Sequence, residues 1–336
     1  MIDALIVGEE NRLDPQARAF LDRLAAAKRP PLSTLEPAQA RLANARLVEM
    51  CAGPAVSMAR VEDRAIPGPR GSIDVRIYTP HAVVADAAAP VLVYFHGGGF
   101  VIGDIAMADG TARMLADEAA CIVVSVAYRL APEFPYPAPR EDAFAATAWV
   151  AANATSFGGD GRRVAVGGDS AGATLAAIVA LVARDRGGPA LAFQLLVYMG
   201  SDRDLARPSM TAFGADYLLT LDTIRWFQRH HYDGPATHDP YLAPLEAEDL
   251  RGLPPAFAIT AGFDPLRDGG ERYAERLAGS GVPTRLVRYA GAIHGFFLFP
   301  AVFDDARDAI ARSARALRTA FSRIADPAEV GSHFAE

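Results

Sequence analysis

The stretch that most limits what this chain can fold into is Gly168-Asp169-Ser170-Ala171-Gly172. An apolar run at residues 164–166 precedes it and a helical pattern at residues 174–183 follows it. Strand, sharp turn and helix therefore meet at one serine. A serine on such a turn has its hydroxyl pushed into the open, and its backbone is so crowded that the residues two before and two after must be small. Gly168 and Gly172 meet that demand. The following helix also points its first N–H groups at any anion formed beside the serine. On this stretch alone, a glycine-rich strand-to-helix turn of a parallel sheet explains the residues equally well.

The rest of the chain supplies the sheet. Continuous apolar runs at residues 91–95, 122–128, 164–166, 193–198, 256–260 and 284–289 alternate with helical stretches, the pattern of buried parallel strands with helices on both faces. Before them, residues 61–66 and 73–78 read as strands joined by a Gly-Pro-Arg-Gly turn at 68–71, which makes them antiparallel neighbours. The expectation is an α/β protein with a mostly parallel eight-stranded sheet. Residues 13–52 read as two helices, the first opened by Asp14-Pro15 as cap and first residue. They precede the first expected strand and so lie outside the alternation, which makes them one candidate for a lid. A long insertion between Tyr198 and Pro255, with a helix near residues 221–231, is the second. Residues 303–324 read as the last helix.

Catalytic groups of such a sheet belong at the carboxyl ends of its strands. Three further stretches sit there. His96-Gly97-Gly98-Gly99-Phe100 follows residues 91–95; consecutive glycines let backbone N–H groups approach a ligand, as an oxyanion hole needs. A phosphate loop would need Gly-Lys-Ser/Thr, and a dinucleotide loop a helix directly after the glycines; neither is present. Asp264, before Pro265, follows residues 256–260, where a histidine-orienting carboxylate belongs. A helix cap is the alternative for it, and Asp268 is the competing acid, better suited to a cap or an ion pair, so Asp264 is favoured. His294 follows residues 284–289; it differs from the chain's other histidines by position alone. The order Ser170, Asp264, His294 is the order of nucleophile, acid and base in an α/β-hydrolase.

With Tyr128-Arg129-Leu130-Ala131-Pro132-Glu133 and His294-Gly295-Phe296 added, these motifs resemble the hormone-sensitive-lipase family of serine esterases, in the bacterial branch with a Gly-Asp-Ser-Ala-Gly elbow. The resemblance covers about residues 60–320. It implies the α/β-hydrolase fold with a helical cap formed by residues 1–55 and 200–232. The catalytic domain would span 56–199 and 233–325, and 326–336 would be a loose tail. It implies a triad of Ser170, Asp264 and His294 and an oxyanion hole of Gly98, Gly99 and Ala171. His96, Gly97, Gly168, Asp169, Gly172 and Glu133 would support the site. The activity implied is hydrolysis of short to medium acyl esters without metal or cofactor. Amide cleavage and acyl transfer use the same residues, and a relative that binds small molecules without catalysis is the rival from another class. The resemblance also leaves room for a homodimer paired through the last strand. Two departures stand out. The family commonly has Gly-Asn after the elbow where this chain has Ala173-Thr174. It has a proline and an aspartate where this chain runs Tyr198-Met199-Gly200-Ser201-Asp202.

Composition narrows the partners. Of 336 residues 51% are hydrophobic and 22% charged, enough apolar content for a large core, and the net charge of −7 argues against nucleic acid. No apolar run is long enough for a membrane span, and no basic-then-apolar leader opens the chain, so the expected location is cytoplasmic. Cys51 and Cys121 form neither a disulfide framework nor a metal site.

Overall fold

A computed structural model describes residues 2–51, 53–83, 88–232, 234 and 238–325. The expected loose tail, 326–336, lies outside the described residues.

The sheet is built of β1 (Asp3–Val7), β2 (Arg60–Gly68), β3 (Gly71–Thr79), β4 (Ala89–Phe95), β5 (Ile122–Ala127), β6 (Gly159–Asp169), β7 (Phe193–Val197), β8 (Ala256–Phe263) and β9 (Thr284–Ile293). Their spatial order is β1-β9-β8-β7-β6-β4-β5-β3-β2. β2 pairs antiparallel with β3 through a turn closed by Gly68 and Gly71, and β3 pairs antiparallel with β5. The other pairings, including β4 with β6 and β6 with β7, are parallel.

The eight expected strands are present, and β1 is a ninth. Asp3-Ala4-Leu5-Ile6-Val7 is too short for a period to declare itself. It becomes a strand only because it lies in parallel register on β9, Asp3 opposite Arg285 and Val7 opposite Tyr289. This pairing also corrects the expected route to a dimer. β9 is flanked by β1 and β8 and offers no free edge.

Between the strands run α3 (Ile105–Ala119), α4 (Ala138–Asn153), α5 (Ala171–Asp185) and α8 (Arg267–Gly279), and α9 (Asp304–Ala325) follows the last of them, while α1 (Pro15–Ala26) and α2 (Pro37–Cys51) precede β2 and α6 (Pro208–Phe213) and α7 (Leu221–His231) fill the insertion after β7. Successive strand side chains point to opposite faces. Leu92 and Tyr94 of β4 enter the core shared with α1, α3 and α9. Val91, Val93 and Phe95 enter the core shared with α4, α5 and α8. Both faces are therefore buried, which is why these strands read as unbroken apolar runs. The N-terminal helix starts as its sequence dictates: Asp14 accepts from the N–H groups of Gln16 and Ala17, with Pro15 first in the helix. Among the described residues no helix is long and apolar enough to cross a membrane.

Candidate active site

Ser170 stands between β6 and α5 at φ 53° and ψ −120°, a backbone conformation that costs energy for any residue with a side chain. Its N–H donates to the Val197 carbonyl at 2.8 Å, which ties the turn to β7. The two glycines beside it are there for space. A Cβ on Gly172 would sit 1.9 Å from the Phe95 carbonyl oxygen, and one on Gly168 would sit 2.3 Å from the same atom. Both contacts are with backbone, which cannot step aside.

Three strand ends then deliver three side chains to one point. His294, just past β9, places Nε2 3.0 Å from the Ser170 hydroxyl and Nδ1 2.7 Å from Oδ2 of Asp264, just past β8. Asp264 is fully buried, and its other oxygen accepts from the Leu266 N–H at 2.8 Å, which fixes the carboxylate. It caps no helix. Asp268 faces away from this point: it accepts from the Ser209 N–H at 2.8 Å and so ties the start of α8 to α6. A serine hydrogen-bonded to an imidazole whose far nitrogen is held by a buried carboxylate can lose its proton as it attacks.

The glycine turn lies beside this point. Gly98, Gly99 and Phe100 have φ of 112°, 59° and 65°, and the Gly98 carbonyl accepts from the N–H groups of Val101 and Ile102. That turns the chain so that the N–H groups of Gly98 and Gly99, with that of Ala171, donate to no protein acceptor among the described residues. All three residues line the cavity that holds Ser170.

The remaining expected support residues divide. Asp169 is buried beneath the turn and accepts from the Tyr94 hydroxyl at 2.9 Å and the Gly97 N–H at 3.1 Å. Burial pushes its carboxyl up to about 6, against the pull of those hydrogen bonds. Gly97 must lack a side chain, since a Cβ there would come within 2.4 Å of Asp169. His96 is buried, stacks on Tyr128 at 4.4 Å and bonds through Nδ1 to the Gly97 carbonyl. Burial pushes its imidazole down to about 4, so it is neutral and holds the loop without charge. Glu133 does not reach the serine. Its carboxylate pairs with Arg41 of α2 at 2.6 Å.

Of the other residues at the site, Tyr198, Thr174 and Gly200 are marked in the sequence only as parts of the two departures from the family pattern, and Phe227 is not marked. The ring of Tyr198 lies 4.6 Å from that of His294. Phe227 of α7 covers Gly99 so closely that a Cβ on the glycine would fall 2.1 Å from its ring. The two departures from the family pattern touch each other: the Thr174 hydroxyl donates to the Gly200 carbonyl at 2.7 Å.

The cavity has a volume of about 1080 Å³. Leu21 and Leu24 of α1, Leu47 of α2, and Ile224 and Phe227 of α7 form much of its apolar wall. Among the described residues no cluster of His, Cys, Asp and Glu could hold a metal ion.

A family model described as the α/β hydrolase fold matches residues 92–298. The esterase LipI of Mycobacterium tuberculosis is 46% identical over 275 residues, 81% of this chain and 86% of LipI. The carboxylesterase NlhH of the same organism is 41% identical over 315 residues, 92% of this chain and 96% of NlhH. An ester hydrolase from the metagenome of Lake Arreo, solved with a derivative of bipyridine phosphonate, superposes with a TM-score of 0.89 at 41% identity, over 92% of this chain and 99% of that one.

Proposed function

The chain belongs to the α/β-hydrolase family, in its hormone-sensitive-lipase branch of carboxylic-ester hydrolases, and we propose that it hydrolyses short to medium acyl esters through an acyl-enzyme on Ser170. The observation that carries this reading is the unbroken relay from the Ser170 hydroxyl through both nitrogens of His294 to Asp264.

In the reaction His294 Nε2 takes the hydroxyl proton as Oγ attacks the ester carbonyl. Asp264 keeps the Nδ1–H of His294 pointed at itself, which fixes the tautomer and stabilises the imidazolium. The carbonyl oxygen, now an anion, takes hydrogen bonds from Gly98, Gly99 and Ala171; removing one such donor costs about 10²–10³ in rate in other enzymes. The imidazolium then gives its proton to the leaving alcohol. Water enters, loses a proton to His294, and the same cycle releases the acid and restores Ser170. Helices α1 and α2, with residues 200–232 after β7, act as a cap that excludes water and shapes the acyl site, while β1, expected within the cap, belongs to the sheet, and the catalysis takes place in the cytoplasm. Apart from the ester and one water, the groups that act in this cycle are side chains and backbone N–H groups of this chain.

The test is hydrolysis of p-nitrophenyl esters from acetate to palmitate by wild type and by Ser170→Ala. Activity that peaks at short to medium chains and falls at least about 10³-fold in the variant is the expected result. Equal activity of the two proteins would remove Ser170 from the mechanism. An inert wild type would favour a binding protein instead.

A further inference from the structure

Gly98, Gly99, Gly200 and Gly295 all line the cavity that holds Ser170. The backbone itself calls for glycine at three of these positions, where φ is 112° (Gly98), 59° (Gly99) and 85° (Gly295). Gly200, in the segment that leaves β7 for the insertion, has no such φ. Packing does not exclude a side chain there either. A Cβ on Gly200 would meet Thr174 Oγ1 at 3.7 Å and Leu266 Cδ1 at 3.8 Å, both ordinary van der Waals contacts, and no other atom beyond its chain neighbours lies within 4 Å.

Both of those neighbours, Thr174 of α5 and Leu266 just before α8, line the same cavity. The space beside Gly200 is therefore part of the cavity, bounded by these two side chains. It is also close to the nucleophile. Thr174 Oγ1 lies 2.7 Å from the Gly200 carbonyl oxygen and 3.2 Å from that of Ser170, so one side chain separates Gly200 from the Ser170 backbone. The hydrogen bond to Gly200 holds that peptide in place and uses the one proton the hydroxyl has. What borders the space is then a hydroxyl already engaged and the hydrocarbon of Leu266, which packs with Leu219 and Ile224. An alkyl group suits such surroundings.

A glycine that neither φ nor packing requires leaves open a volume that any other residue would fill. We infer that Gly200 is a specificity-determining residue: the space left by its missing side chain admits an alkyl branch on the carbon next to the ester link, so that branched esters are substrates. One methylene in an apolar pocket discriminates between substrates by about 10–200-fold, so a single Cβ at position 200 is enough to turn the branch away. This inference rests on the ester-hydrolase reading of Ser170 and narrows it, from the length of the ester's arms to their shape beside the reacting carbonyl.

The test uses two pairs of esters that differ by one methyl group beside the ester link. On the acyl arm p-nitrophenyl isobutyrate is compared with p-nitrophenyl propionate, and on the alcohol arm isopropyl butyrate with ethyl butyrate. The readout is the ratio of kcat/KM for the branched ester to that for its linear counterpart, in wild type, Gly200→Ala and Gly200→Val, with folding followed by circular dichroism. The expected result is a ratio that falls at least about tenfold in Gly200→Ala for one of the two arms, and further in Gly200→Val. General damage to the protein lowers both members of a pair and leaves their ratio where it was. Ratios within about threefold of the wild-type value for both arms would therefore overturn the inference. A wild type inert toward all four esters would overturn the ester reading, and the inference with it.

Discussion

At the scale of single residues, the glycines around Ser170 differ in what they make room for. Gly168 and Gly172 make room for backbone, so a side chain at either position has nowhere to go. Gly99 makes room for one movable ring, that of Phe227, while holding φ at 59°. This difference gives a prediction. Gly99→Ala is expected to lower kcat/KM for a short p-nitrophenyl ester at least about tenfold, because a displacement at the oxyanion turn costs alignment with the reacting carbonyl. Adding Phe227→Ala in the same chain should restore part of the loss. A double variant no better than Gly99→Ala would place the damage in the backbone conformation. The requirement for glycine at 99 was legible as a consecutive run in the sequence. The ring that presses on it was not, since Phe227 lies 128 positions away on a helix whose pattern marks it only as apolar.

At the scale of elements, Arg41 ties α2 to the body. Arg41 donates from Nε to the Val101 carbonyl at 2.9 Å, from Nη2 to the Ala131 carbonyl at 2.9 Å, and with both terminal nitrogens to Glu133. Val101 closes the turn on Gly98, so the contact joins the cap candidate to the oxyanion loop. Arg41 holds the Glu133 carboxyl down to about 2, yet half of that side chain faces solvent, so the ion pair itself is worth little. Glu133→Gln is therefore expected to cost less than about 1 kcal/mol in denaturant unfolding. Arg41→Ala, which also strips two carbonyls of their donor, should cost about 1–3 kcal/mol and raise KM more than it lowers kcat. Equal effects of the two substitutions would mean that the carbonyl contacts add nothing. The sequence marked Glu133 as a support residue through its motif. Its partner was out of reach, because Arg41 sits 92 positions earlier on a helix with many other charges.

At the scale of the whole molecule, the carboxyl group at the centre of the sheet makes stability depend on pH. Asp169 is pushed from an ordinary 3.8 up to about 6. The folded state thus binds this proton more tightly than the unfolded chain does. Its contribution to stability is full below about pH 4 and is lost as pH rises through about 6. Asp169→Asn removes that dependence while leaving groups that can meet Tyr94 and Gly97. The Tm of the variant relative to wild type should accordingly rise between about pH 5 and pH 8, by an amount reflecting at most ~3 kcal/mol. A difference in Tm that stays flat over this range would show that Asp169 is charged throughout.

The sequence by itself determined the alternation of buried strands and helices, because burying both faces of a parallel sheet demands unbroken apolar runs. It also placed Ser170, His294 and the acid, favouring Asp264 with Asp268 as its rival, because each follows such a run and the chain order repeats that of a known family. Tertiary structure alone decided what depends on pairing across distance. Asp3–Val7 becomes a strand only against β9, and that pairing removes the free edge β9 would otherwise have offered. Asp264 rather than Asp268 meets His294, because one carboxylate points back along the strand end and the other out to α6. Arg203 and His231 are unremarkable letters in an insertion. Only folding brings them to the wall of the Ser170 cavity and leaves one nitrogen of each buried without a partner, since burial and hydrogen-bond satisfaction are properties of the packed chain and not of its order.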